Sequence, residues 1–151
     1  MLIYCTGATG LAGYNFVKAA SSEGHKVVAV CGKRRLPEMP NVTPVSCDLL
    51  DEHAVQRAVL EVFPDAIVNC AAISSPADVD AKKMNAVLPE RLAQLANHVG
   101  ARFIHLSTDM VFDGSDAPYK NTDIPMPCTL YGTTKLMAEK KVLKAAAHTS
   151  V

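Results

Sequence analysis

Short apolar runs alternate along this chain with longer stretches of helical period, and that alternation leaves few folds open. "LIYC" (2–5), "KVVAVC" (26–31), "TPVSC" (43–47), "AIVNCAA" (66–72) and "RFIHLS" (102–107) read as strands. Helical spacing is expected over 11–23, 51–62, 82–99 and 131–147. The strand runs are nearly continuous in Val, Ile, Leu and Cys, which suits parallel strands covered on both faces. The class expected is therefore α/β, a doubly wound parallel sheet of the Rossmann-like kind, with strand order 3-2-1-4-5-6. Asp51 is placed to cap the second helix, whose Val55 and Val59 share one face. After the last helix, "TSV" reads as the approach to another strand. The sheet is expected to be truncated before its sixth strand, leaving the fifth with an open edge and the chain a fragment of a longer protein.

At 151 residues, 49% hydrophobic and 20% charged, the chain can bury one core, and a single domain over 1–151 is expected. Fifteen basic residues balance fifteen acidic ones, so net charge draws it neither to nucleic acid nor to an anionic membrane. A small molecule or another protein, including a second copy of the chain, is the expected partner. The five cysteines form no C-x-x-C pair, and the first four sit in or beside strand runs, as buried thiols of a reducing compartment would. No histidine spacing suits a metal. "MLIYCTGATG" has no basic leader region and no apolar stretch is long enough to span a membrane, so a cytoplasmic location is expected. The long loop 113–130 is of a length more often functional than idle.

"TGATGLAG" (6–13) follows the first strand and opens the first helix. Glycines there permit a tight turn and let backbone approach a pyrophosphate, so Gly7, Thr9, Gly10 and Leu11 are expected to meet a dinucleotide. After the second strand, "CGKRR" lacks the carboxylate that would accept from a ribose hydroxyl. Lys33, Arg34 and Arg35 stand there instead, either to bind a 2′-phosphate, favouring NADP(H) over NAD(H), or as a solvated basic turn. Asp48, with Leu49 beside it, follows the third strand, where a carboxylate either reaches an adenine amino group or caps the next helix. Tyr131 and Lys135 lie four apart at the start of a helical segment, on one face. An ammonium there would favour the phenolate and draw the tyrosine pKa towards working pH, making Tyr131 a general acid or base. Thr108, at the end of the fifth strand, can bond the same substrate oxygen. Alone, Y-x-x-x-K would read as a surface helix; beside the glycine turn it reads as a proton-transfer site.

"TGATGLAG", "NCAA" (69–72), "MNAVLPERLA" (84–93), "STDMVFDG" (107–114), "DAPY", "TDIPMP" and "YGTTKLMAEK" occur in an order that resembles the extended short-chain dehydrogenases/reductases, most closely the dTDP-4-dehydrorhamnose reductase branch. The resemblance implies a triad of Thr108, Tyr131 and Lys135, with Tyr131 and Lys135 also at the cofactor and Lys135 on the nicotinamide ribose. It implies that Ala71 and Ala72 line the cofactor, and that Asn85 is a structural or cofactor-side asparagine. The reaction implied is hydride transfer from NADPH to the C4 ketone of a nucleotide-linked deoxysugar. Met110 stands where these reductases commonly carry Tyr and the related dehydratases carry Glu, so the acid that dehydration requires is missing. The substrate-binding part that follows in such enzymes is not in this chain. The sequence also resembles the regulatory β subunit of methionine adenosyltransferase, which implies instead a non-catalytic NADP-binding partner of a synthetase.

Overall fold

The structure, a computed structural model, describes residues 1–75, 78–145 and 148–151. Six parallel strands form one sheet: β1 (Leu2–Thr6), β2 (Lys26–Cys31), β3 (Val42–Ser46), β4 (Ala66–Asn69), β5 (Arg102–His105) and β6 (Thr149–Ser150). Their spatial order is β3-β2-β1-β4-β5-β6, as expected for a doubly wound sheet. Helices α1 (Leu11–Ser22), α2 (Glu52–Val62), α3 (Leu88–Val99) and α4 (Leu130–Ala145) cover it. Strand side chains alternate between the two layers. Tyr4, Ile67 and Phe103 pack with Val55, Val59, Leu92 and Val142 of α2, α3 and α4. Ile3, Cys5, Val27, Ala29 and Val68 pack on the other side with Val17 and Ala20 of α1.

One expectation is corrected at the sheet edge. The sixth strand is begun within the chain: Thr149 and Ser150 pair with Phe103 and Ile104 of β5. The Phe103 N–H donates to the His148 carbonyl at 3.0 Å, so the ladder starts before Thr149 and Ser150, which continue it. The last helix ends at Ala145 among the described residues; the end expected for it at 147 lies outside them.

Other boundaries differ for local reasons. β2 joins β3 through residues 32–41 without a helix. The helix expected over 82–99 opens with a π-helical turn, Lys83–Val87, before α3. Pro89 has no N–H for the Asn85 carbonyl, and the turn widens at that missing bond. β4 and β5 stop at Asn69 and His105, short of 72 and 107. The Cys70 N–H still reaches the Thr6 carbonyl and the Leu106 N–H the Asn69 carbonyl, both at 3.2 Å, and beyond them the chain leaves the ladder.

Asp51 caps α2 as expected, its Oδ1 accepting from the N–H groups of Ala54 at 3.0 Å and His53 at 2.9 Å. Those bonds hold its carboxyl below the usual carboxylate range. A depressed pKa contributes stability that is present above the unfolded value and lost as pH falls through the folded one. Asp51→Ala is therefore expected to lower the urea midpoint at neutral pH, with the gap to wild type closing as the solution is acidified below the carboxylate range. A gap that stays constant with pH would refute the capping role.

Candidate functional site

A cleft of about 740 Å³ opens beyond the carboxyl ends of β1 to β4. This is where the order of winding reverses between β1 and β4, the usual ligand position in such sheets. Gly7, Thr9, Gly10, Lys33, Arg34, Asp48, Leu49, Ala71 and Ala72 line it. Arg35 continues the wall in an adjoining depression shared with Lys33 and Arg34. Leu11, the first residue of α1, is 87% exposed and does not line the cleft, and neither do Asn85, Tyr131 and Lys135, which were also expected at the cofactor.

The cleft floor fits a dinucleotide on two structural grounds. Gly7 has φ +66°, and a Cβ there would stand 2.6 Å from the Ala71 backbone nitrogen, so any side chain would fill the gap between β1 and β4. The amino end of α1 begins at Gly10 with no side-chain cap and no acidic residue in its first turn. Its N–H groups and helix dipole suit an anion. At α2, by contrast, Asp51 occupies that place.

The cap of α2 also separates the two readings of Asp48. Asp48 Oδ1 accepts from the Leu50 N–H at 2.9 Å, and its side chain stays exposed at the cleft rim; the capping role belongs to Asp51. Lys33, Arg34 and Arg35 are exposed, and none forms an ion pair among the described residues. The cysteine expectation is half right. Cys5 and Cys31 are buried, but Cys47 and Cys70 are half-buried in the cleft wall, because the strands end before them.

The elements that carry the three expected catalytic residues meet at one corner. Thr108 Oγ1 accepts from the Met110 N–H at 3.2 Å and so caps a 3-10 turn, Asp109–Val111, that packs against α4. Tyr131 lies in the first turn of α4, half-buried. Burial pushes its phenol above the ordinary value, opposite to the expected pull, because the lysine is engaged elsewhere. Lys135 is 2% exposed and its Nζ meets His105 Nε2 at 3.1 Å and the Leu106 carbonyl. Burial pulls Lys135 down to about 8, with Glu139 opposing. Asn85 is consumed by structure: its Oδ1 accepts from Ile73 N–H at 2.8 Å, and its Nδ2 donates to the Ile73 carbonyl at 2.7 Å and to Thr134 Oγ1 at 3.1 Å. It ties the loop after β4 to α4 and, being 1% exposed, offers nothing to a cofactor directly.

The long loop folds around Asp113, which accepts from Tyr119 Oη at 2.5 Å and from Ser115 N–H at 3.0 Å; these bonds, the phenol first, hold its carboxyl down to about 2. Tyr119 stacks on Phe112 with centroids 4.4 Å apart. With Met110 and Thr129 these residues border a second depression of about 400 Å³ beside the 3-10 turn.

Three residues at this corner went unread in the sequence. Gly132 is one: a Cβ there would stand 2.1 Å from the Met110 carbonyl oxygen, so the helix abuts the 3-10 turn only because Gly132 has none. A glycine in the first turn of a helix, beside a candidate acid, was the available signal. His105 and Asn69 are the others: His105 lay in a run that read only as strand, and Asn69 opened the "NCAA" motif without a role of its own.

The sequence pattern of the family described as RmlD substrate binding domain matches residues 1–151. Methionine adenosyltransferase 2 subunit beta of Bos taurus is 39% identical over 148 residues, covering 94% of this chain and 42% of that protein. The dTDP-4-dehydrorhamnose reductase of Mycolicibacterium smegmatis is 37% identical over 150 residues, covering 95% of this chain and 42% of its own. The crystal structure of dTDP-4-dehydrorhamnose reductase from Bacillus anthracis in complex with NADP superposes with a TM-score of 0.76 at 25% identity, over 98% of this chain and 51% of that one. The chain thus spans less than half the length of the two curated relatives.

Proposed function

The chain belongs to the RmlD substrate binding domain family, among proteins like the dTDP-4-dehydrorhamnose reductases, and from that premise we propose that residues 1–151 are the dinucleotide-binding domain of an NADP(H)-dependent reductase. Its substrate class is a 4-keto nucleotide-linked deoxysugar. The observation that carries this reading is the Gly7 cradle and uncapped α1 terminus opening beside Lys33 and Arg34, in the same sheet whose fifth strand leads to Thr108. Gly7, Gly10 and the α1 N–H groups would hold the pyrophosphate. Arg34 and Arg35 would grip the 2′-phosphate, and Asp48 the adenine edge. When bound there, a reduced nicotinamide would supply the hydride to the ketone carbon. Tyr131 gives its phenolic proton to the carbonyl oxygen while Thr108 holds that oxygen in place. The upward shift of the phenol keeps it protonated, the form a reduction uses.

Cofactor choice tests the reading on the protein without turnover. Calorimetric titration is expected to show NADPH binding at least several-fold more tightly than NADH, with Arg34→Ala plus Arg35→Ala erasing the difference. Equal affinities in wild type would end the NADP assignment, and binding of neither would end the proposal.

A second reading is favoured by the bovine relative, whose identity to this chain slightly exceeds that of the reductase. In it the domain binds NADP(H) as part of a regulatory subunit. Tight NADPH binding with no oxidation of NADPH by any dTDP-4-keto sugar, together with co-purification of a synthetase, would select it.

A further inference from the structure

A buried chain of side chains joins the cleft wall to Lys135, and the reduction described above makes no use of it. Thr6 donates its hydroxyl to Asn69 Oδ1 at 2.5 Å, and the Ala71 backbone N–H donates to the same oxygen at 3.3 Å. Asn69 Nδ2 lies 3.0 Å from His105 Nδ1, and His105 Nε2 lies 3.1 Å from Lys135 Nζ. Asn69, His105 and Lys135 are all buried, so no water shares these bonds by default.

The donors and acceptors can be read along this chain from its fixed end. A backbone N–H only donates, so Ala71 sets the Asn69 oxygen towards itself and the amide nitrogen towards the histidine. An amide NH₂ also only donates, so His105 Nδ1 has to be the bare acceptor. The neutral ring then carries its proton on Nε2, facing Lys135. An ammonium has no lone pair to receive that N–H. A neutral amine has one, and still keeps an N–H for the Leu106 carbonyl.

We infer that Asn69 and His105 are positioning residues that favour the neutral amine of Lys135 over its ammonium in the free protein, through a hydrogen-bond chain whose direction is set by the Ala71 N–H in the cleft wall. Protonating Lys135 requires His105 to move its proton to Nδ1 and Asn69 to rotate, turning its NH₂ against the Ala71 N–H. The charge on Lys135 and the orientation of a residue bonded to the cleft wall are thus one equilibrium. The surroundings agree in direction. Burial pulls Lys135 down to about 8 and holds His105 down to about 3, so the ring stays neutral. The titratable groups facing Lys135 are His105 from β5, Cys70 beyond β4 and Glu139 from α4 itself. Cys70 and Glu139, the latter also accepting from the Ser107 hydroxyl, favour the ammonium and oppose the effect of burial. From the π-helical turn, Asn85 reaches only Thr134 and brings no charge.

The catalytic meaning of this chain rests on the proposed reductase reading, but its geometry does not, and the test keeps the two apart. In nitrogen-15-labelled protein without cofactor, long-range proton–nitrogen spectra are expected to show His105 as the Nε2–H tautomer above the pH at which Lys135 loses its proton, giving way to the Nδ1–H tautomer below it. The side-chain signal of Lys135, identified by its loss in Lys135→Arg, is expected to titrate near pH 8, well below the exposed lysines. Asn69→Asp supplies an acceptor in place of the NH₂. It should convert His105 to the Nδ1–H tautomer and raise the Lys135 midpoint by about one unit or more. His105→Phe, which adds no charge, should also raise it. An Nδ1–H tautomer in wild type above the Lys135 midpoint, or Lys135 titrating with the exposed lysines, would overturn the inference, and either result is read on wild type even if a variant fails to fold. A low Lys135 midpoint in a protein that binds no dinucleotide would sink the proposed function and leave this inference standing.

Discussion

Tyr131→Phe in the native protein is expected to cut NADPH-dependent turnover of a dTDP-4-keto sugar by ~10²-fold or more, the scale of a lost general acid. The substitution removes one hydroxyl and keeps the ring in the first turn of α4, where Gly132 and the 3-10 turn fix the backbone. NADPH affinity should change little, because the cleft residues Gly7, Gly10, Lys33 and Arg34 are left as they are by the substitution. The expected loss therefore falls on kcat more than on KM. The pH profile carries a second signature. With the phenol shifted up by burial, wild-type turnover should not fall as pH rises through neutrality for want of the tyrosine proton. Turnover that survives Tyr131→Phe would remove the phenol from the mechanism, whatever else the cleft binds.

The parts of this site that were legible in the sequence are those whose signal is local. The glycine turn, the "CGKRR" turn and the Tyr131–Lys135 spacing each announce themselves within a few residues, and the strand order follows from alternating element types. Asp51 was readable as a cap because a cap acts on N–H groups two and three residues ahead. What stayed hidden depends on contacts across the sheet. Asn69 and His105 stand on neighbouring strands, 36 residues apart, and nothing in "AIVN" or "RFIH" distinguishes a polar residue aimed at a partner from one at a strand end. Lys135 was expected to serve the tyrosine four residues earlier. Its long side chain instead finds the His105 ring and the Leu106 carbonyl beneath the helix, a choice that helical spacing alone does not decide. "TSV" read only as the approach to a strand because two paired residues carry no periodicity, and the free edge of β5 is what gives them a partner.

Gly132→Ala is the substitution that tests whether packing, rather than the mere presence of Thr108 and Tyr131, makes the site. The added Cβ would stand 2.1 Å from the Met110 carbonyl oxygen and 3.1 Å from Pro127 Cβ. The nearest obstacle is backbone, so no side chain can swing aside to admit it. Either α4 or the 3-10 turn has to retreat by about 1 Å to reach ordinary contact, and misplacement on that scale between reacting groups can cost ~10²-fold in rate. Thr108 caps the displaced turn and Tyr131 precedes the glycine, so the retreat separates the two hydroxyls that would share the substrate oxygen. Overpacking of this kind should also lower stability by ~1–3 kcal/mol, read from chemical denaturation. The helix-propensity gain of Ala over Gly, about 1 kcal/mol, works in the opposite direction and is too small to offset a backbone collision. NADPH affinity is the internal control, since the Gly7 cradle follows β1 and is untouched by the collision. Wild-type turnover and stability in Gly132→Ala would show that the two turns slide freely past each other, and that their close approach has no part in the chemistry.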